Sequence, residues 1–411
     1  MDHPVVSWCA VKQSRFKLGT SSLTVAAFVG PGTVLTCATA GIDFGYALGW
    51  VLLFSVGATF VLQSFTAGAG IWSRLGMGEA LRVYTERSPT RWIVSALVIL
   101  GLWAGTAAFE AGNIAGAVAG VSSLTSGLLP RSVLVLLIGL FAAAALSLQL
   151  QRVIKLLAGL VALMSTVFLV TVILAPVDWQ AAIQGLMIPR IPDGSLVRTI
   201  ALVGTTVVTY NLFLHGSAAK KYWAHEDPQF AWRRELTGMA IFLPLGGIIS
   251  IAILLAGATL EVEAVESVAA IAPVIRPAAG PFAEILFGVG LFAAGITSAV
   301  TAPLAAAWGV REIFGWPDDT KHLGFRVVWI SVLLTGMVFA LFGRNPLEII
   351  IAAQAANGLL LPFIAVFVLF LAVRQKTITL PHWYLGLGIL VTLICAGLGG
   401  RTLIWVWGQL S

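Results

Sequence analysis

The chain has 411 residues, of which 59% are hydrophobic and 10% charged, and its mean hydropathy is +0.97. These values exclude a soluble multidomain protein and read as a polytopic membrane protein. A formal charge of +6 would point to nucleic acid only if it clustered on a soluble face. Here the basic residues sit between apolar runs, where they report topology, and no nucleic-acid partner is expected.

Residues 1–20 carry no apolar run followed by a small-residue cleavage site, which predicts a short cytoplasmic lead rather than a removable signal. Runs of the length a bilayer requires, roughly 20 residues, follow at about 21–41, 44–69, 92–118, 132–149 and 153–175. A second group lies at about 199–219, 237–257, 281–308, 326–342 and 347–373, and an eleventh run at 383–407. The first run is interrupted near its middle by Gly30-Pro31-Gly32, and the sixth by Thr209-Tyr210-Asn211. In a bilayer, backbone groups freed by such breaks survive only where they face protein or line a cavity, so paired breaks point to a transporter's substrate site.

With the N-terminus inside, eighteen of the 24 Lys and Arg residues fall on the cytoplasmic side. Only Arg131, Arg190, Arg198, Arg276, Arg344 and Arg401 fall outside. The positive-inside rule therefore predicts an integral protein of the plasma (inner) membrane, with its N-terminus cytoplasmic and its C-terminus outside. Spans 1 to 5 and 6 to 10 then start on opposite sides, and each set opens with an interrupted helix. This is the layout of an inverted repeat, with 21–175 as the first unit, 199–373 as the second and 383–407 as an extra helix, all within one transmembrane domain of residues 1–411.

Cys9, Cys37 and Cys395 have no metal-ligand spacing, so neither a disulfide framework nor a zinc site is implied. The chain has no nucleotide-binding loop, no paired buried carboxylates and no nucleophile-base spacing. Neither an enzyme nor a bound cofactor is expected; the expected partners are the lipid bilayer and a small solute or ion. Thr33, Thr36, Cys37 and Asn211, close to the breaks, and Gln354 in the tenth run offer neutral polar groups. They suit a neutral or weakly charged solute better than a naked divalent ion, whose burial without compensating charge is costly. Cys37, one turn beyond Thr33, reads either as packing or as a soft ligand if deprotonated.

Glu110, in GTAAFEAGNIAG, is the one carboxylate well inside a predicted span. An ionisable group there is expensive and marks function by default, the other reading being a protonated acid bonded to a neighbouring helix. His215, four residues after Asn211, reads either as a group titrating near neutral pH or as a structural hydrogen-bonder. Gly112, Gly116 and Gly120 read as close helix packing, and Tyr222-Trp223 as an interfacial anchor.

GPGT with the downstream FGYALGW, YNLFLHGSAA, GLFAAGITSAVTAP and QAANGLLLPF together resemble the NRAMP divalent-metal transporters, in order and spacing, over nearly the whole chain. The resemblance implies an all-α polytopic membrane protein with the LeuT-like inverted repeat of 5+5 helices plus an eleventh helix. It also implies proton-coupled metal ion symport by alternating access. The family carries Asp-Pro-Gly-Asn at the first break, where this chain has Gly30-Pro31-Gly32-Thr33. At the second it carries Met-Pro-His-Asn, matched here by Val208, Thr209, Tyr210 and Asn211. The resemblance thus implies a divergent branch lacking the usual metal ligands, with a substrate-binding set of Gly30, Thr33, Thr36, Cys37, Val208, Tyr210, Asn211 and Gln354. Glu110 and His215 match the family's proton-associated positions, while the acidic residue one turn earlier is Ala107 here. The expected substrate is a hydrated divalent ion or another small solute rather than Mn²⁺ or Fe²⁺. The alternative is a non-transporting receptor or sensor on the same scaffold.

Overall fold

The structure, a computed structural model, describes residue 20 and residues 30–125, 127–148, 150–260, 267–342, 345–374 and 382–410. Most of the expected N-terminal lead, Cys9 and the half of span 1 before Gly30 lie outside the described residues. The described residues are helical nearly throughout. In chain order they form α1 (Pro31–Phe44), α2 (Gly49–Trp72), α3 (Met77–Thr85), α4 (Arg91–Leu124), α5 (Arg131–Leu148), α6 (Gln151–Leu174) and α7 (Trp179–Met187). These are followed by α8 (Leu196–Thr206), α9 (Thr209–Tyr222), α10 (Pro228–Gly257), α11 (Ala283–Phe314), α12 (Leu323–Phe342), α13 (Pro346–Arg374) and α14 (His382–Leu410).

Among the described residues, ten helices or contiguous helical stretches are long and apolar enough to cross a membrane, α8 with α9 counting as one of them. Together with α1, the described half of span 1, they match the eleven runs read from sequence. The outward faces carry Leu97, Leu100, Leu140, Phe363 and Leu393, all more than half exposed. A bundle of this kind presents its apolar side chains to lipid and keeps its polar groups inside.

Two short helices were not anticipated. α3 joins α2 to α4, and its first turn is closed by Glu79, whose Oε2 accepts the Gly76 N–H at 3.0 Å. α7 joins α6 to α8, with Asp178 Oδ1 accepting the Ala181 N–H at 3.0 Å as its N-cap. Short helical turns, Val268–Ile275 among them, connect α10 to α11. They stand in the second set of spans where α3 stands in the first.

The interior is assembled by backbone approaches that larger residues would forbid. A Cβ on Gly120 of α4 would lie 2.6 Å from the Gly288 carbonyl of α11, and one on Gly116 would lie 2.4 Å from the Pro31 ring. The glycine stripe of span 3 is a packing device, and it presses α4 directly onto the start of α1. α8 packs equally close to α13, since a Cβ on Gly204 would fall 1.9 Å from the Gln354 carbonyl oxygen. Tyr222-Trp223 departs from expectation. Trp223 is fully buried and its Nε1 donates to Glu235 Oε2 at 2.6 Å, so it belongs to the interior and not to an interfacial belt.

Candidate functional site

The Gly30 end of α1 and the break of span 6 meet at one place. Gly30 is extended, with φ −87° and ψ 175°, and α1 starts immediately after it with Pro31 in its first turn, where a proline sacrifices no helical hydrogen bond. The second break lies at Val207-Val208, two residues before the expected position: Thr209, Tyr210 and Asn211 are already the first turn of α9. The polar residues mark the restart of the helix, while the unwound pair is apolar.

That unwound pair contains neither glycine nor proline, and its freed backbone groups are satisfied by neighbouring helices. Asn357 of α13 is fully buried; its Nδ2 donates to the Gly204 carbonyl at 2.7 Å and to the Val207 carbonyl at 3.1 Å. Its Oδ1 accepts the Thr209 hydroxyl at 2.8 Å. Thr59 of α2 donates to the Thr206 carbonyl at 3.3 Å. The last carbonyls of a helix need such partners when they are buried.

Between the breaks lies a small cavity, about 10 Å³ of space open to the centre of a water molecule, which is room for about one water. Its wall combines Gly30, Gly32 and Thr33 of the first break, Thr205, Val208 and Tyr210 of the second, Phe109 and Asn113 of α4, Ser298 of α11 and Gln354 of α13. The Thr33 and Thr205 hydroxyls bond each other at 2.9 Å. Tyr210 stands edge-on to Phe109, with ring centroids 5.5 Å apart. Gln354 reaches over Gly32 so closely that a Cβ there would lie 2.0 Å from Nε2, while its Oε1 has no hydrogen-bond partner among the described residues. Among the described residues, the lining holds no carboxylate and no imidazole.

Of the residues singled out from sequence, Gly30, Thr33, Val208, Tyr210 and Gln354 line this cavity, whereas Thr36, Cys37 and Asn211 do not. Thr36 Oγ1 and Asn211 Oδ1 are nevertheless buried without partners among the described residues. Cys37 is a buried free thiol, and no group of three or more His, Cys, Asp or Glu side chains is placed to hold a metal ion among the described residues. Glu110 is one residue removed from the cavity: the lining residue Asn113 donates to its Oε2 at 3.3 Å, and its Oε1 has no partner among the described residues. Its side chain lies against Gly336 of α12, where a Cβ would meet it at 2.6 Å.

His215 lies elsewhere. Its Nε2 is 2.8 Å from Glu235 Oε1, and that carboxylate also accepts the Thr20 hydroxyl at 2.9 Å and the Trp223 indole N–H. This cluster ties α9 to α10 at the end of α9 away from the break. Sequence reasoning missed Asn113, Thr205 and Asn357. The signals were present for two of them: Asn113 stands one turn after Glu110, and Asn357 one turn after Gln354, each on the same helix face.

Comparison with known proteins decides the family, since the model for "Nramp: Natural resistance-associated macrophage protein-like" matches residues 21–405. The chain belongs to the Nramp family. Nramp proteins are transporters and not enzymes. One relative, the divalent metal cation transporter MntH of Acidiphilium cryptum, is 26% identical over 377 residues, covering 87% of this chain and 82% of its own length. A crystal structure of an Eremococcus coleocola manganese transporter variant superposes with a TM-score of 0.70 at 21% identity, covering 93% of this chain and 85% of that one. Mhp1, a nucleobase-cation-symport-1 family transporter, superposes with a TM-score of 0.52 at 16% identity, over 94% of this chain and 93% of that one. The Nramp chain therefore has the LeuT-like membrane transporter fold that the sequence resemblance implied.

Proposed function

We propose that this Nramp protein is a secondary-active transporter that carries a metal cation or another small solute by alternating access around the cavity between α1 and the α8–α9 break. Two repeat units, 21–175 and 199–373, would rock about this point, with the N-terminus cytoplasmic and the C-terminus outside. Kinship with divalent metal cation transporters supports an ion as cargo. The observation that carries the finer reading is a lining without a carboxylate among the described residues. A divalent ion stripped of water and held by hydroxyls and amides alone lacks the charge that offsets its desolvation. The cargo is therefore a divalent ion that keeps much of its water shell, or a small polar solute, and not bare Mn²⁺ or Fe²⁺. Gly30, Thr33, Val208, Tyr210 and Gln354 contact it, and Thr36, Cys37 and Asn211 flank its route.

The test is uptake into proteoliposomes with Mg²⁺, Ca²⁺, Mn²⁺, Fe²⁺ and small polar solutes compared side by side, together with calorimetry for Mn²⁺. Accumulation of a weakly dehydrated ion or a solute, without micromolar Mn²⁺ binding, is expected. Micromolar Mn²⁺ binding at the cavity would return the chain to ordinary metal transport, and binding without accumulation of any solute would favour a sensor. The triple change Gly30→Asp, Thr33→Asn, Val208→Met should introduce Mn²⁺ binding. At its first position an added Cβ would lie 3.1 Å from Ser298 Oγ, a flexible side-chain end that can give way.

Glu110 is the protonatable group of this reading, joined to the cavity by Asn113, with no basic side chain hydrogen-bonded to it among the described residues. His215, bonded to Glu235 outside the cavity lining, is assigned no contact with the cargo. Glu110→Gln should leave substrate affinity within about threefold while removing the dependence of uptake on pH. Retained pH dependence at normal rates would leave Glu110 a structural hydrogen-bonder.

A further inference from the structure

The polar bonds around the span-6 break are unevenly shared between its two halves. α8 is held to α1 by the Thr33–Thr205 hydroxyl pair and by Arg198, whose Nη2 donates to Asp43 Oδ2 at 2.8 Å. Asn357 Nδ2 ties α8, through Gly204, and the Val207 that follows it to α13. α9 is held to other elements, by His215–Glu235 to α10 and by the Lys220–Glu79 ion pair to α3. The side-chain bond joining α9 to α13 at the break is Thr209 Oγ1 to Asn357 Oδ1.

We propose that Asn357 is a positioning residue of the transport cycle: a clasp that stays on α8 through its amide nitrogen and releases α9 through its amide oxygen. The inference rests on the alternating-access reading and adds to it which bond breaks when the α9 side opens. An amide has chemically distinct ends, so one side chain can grip two carbonyls of one half and one hydroxyl of the other. Opening α9 away from α13 costs the clasp one neutral bond, whereas moving α8 away costs it two, including two buried carbonyls left without a donor. The Asn357 amide also lies one turn from Gln354, whose side chain lies over Gly32 at the cavity. The same helix thus touches both the cargo space and the hinge.

The experiment uses the full chain in vesicles, with Cys9→Ser, Cys37→Ala and Cys395→Ala removing native thiols and Ser298→Cys reporting from the cavity wall. A membrane-impermeant thiol reagent is applied from each face separately. Thr209→Val keeps the side-chain shape and removes the releasing bond; it should raise labelling from the face where α9 ends, relative to the other face, by about fivefold. Thr209→Ser restores the hydroxyl and should return the ratio to the parent value. A ratio that Thr209→Val moves by less than twofold, in a parent labelled from both faces, overturns the clasp and leaves alternating access standing. Labelling from one face only, in the parent and in every variant, overturns both.

Discussion

The two breaks at the centre of the bundle are built by different means. The first is written locally: Gly30 takes the extended conformation and Pro31 begins the helix that follows. The second falls on Val207-Val208, two β-branched residues that local sequence gives no reason to unwind, and it is held by Asn357 and Thr59 from other helices. Breaks with the same role thus range from one that glycine and proline announce to one that distant hydrogen-bond donors impose. The comparison teaches that a buried break requires somewhere for its carbonyls to go, and only secondarily a residue that dislikes helices.

Two substitutions at matching contacts sharpen this difference, because each break has a glycine lying against Gln354. At Gly204, beside the second break, an added Cβ meets the Gln354 carbonyl at 1.9 Å and the Gly358 nitrogen at 2.7 Å. Both atoms are backbone and cannot yield. Gly204→Ala should therefore cost about 3 kcal/mol by forcing α8 and α13 apart, read as a fall in thermal midpoint of the purified protein. An unchanged midpoint would mean that the α8–α13 contact does not set the second break.

At Gly32, beside the first break, the added Cβ meets the end of the Gln354 side chain instead. A side-chain end can rotate away, so Gly32→Ala should cost only about 1 kcal/mol in stability. The displaced amide leaves the cavity wall, and affinity for whichever cargo the uptake screen identifies should fall by about tenfold. Stability lost as severely as in Gly204→Ala would show that the first break also depends on tertiary packing and would erase the distinction.

Much of the candidate site was legible because its chemistry is carried by residue types that are rare inside apolar runs. Glu110, Gln354 and the Gly30-Pro31-Gly32 break stand out against their surroundings, and four of the five cavity contacts read from sequence, Gly30, Thr33, Val208 and Tyr210, belong to or adjoin the two breaks by number alone. Thr36, Cys37 and Asn211 were grouped with them by proximity along the chain, which does not fix the direction a side chain takes from its helix. His215 reads from sequence either as a titrating group or as a structural hydrogen-bonder, and its partner, Glu235, twenty residues on, is visible only in the fold. The reading of Trp223 as an anchor failed, since an indole beside lysines looks interfacial until a buried acceptor is found for its N–H.

Sequence by itself determined the class, the apolar spans and the helix-interrupting step at Gly30-Pro31. Those follow from hydrophobic length, charge placement and the rarity of glycine-proline steps, all of which are local quantities. Only the tertiary structure decided where the second break falls, which polar residues share a cavity and which buried groups find partners. Each of these depends on contacts between residues such as Asn357 and Gly204, 153 positions apart. No pattern within one helix specifies what a neighbouring helix will offer its carbonyls.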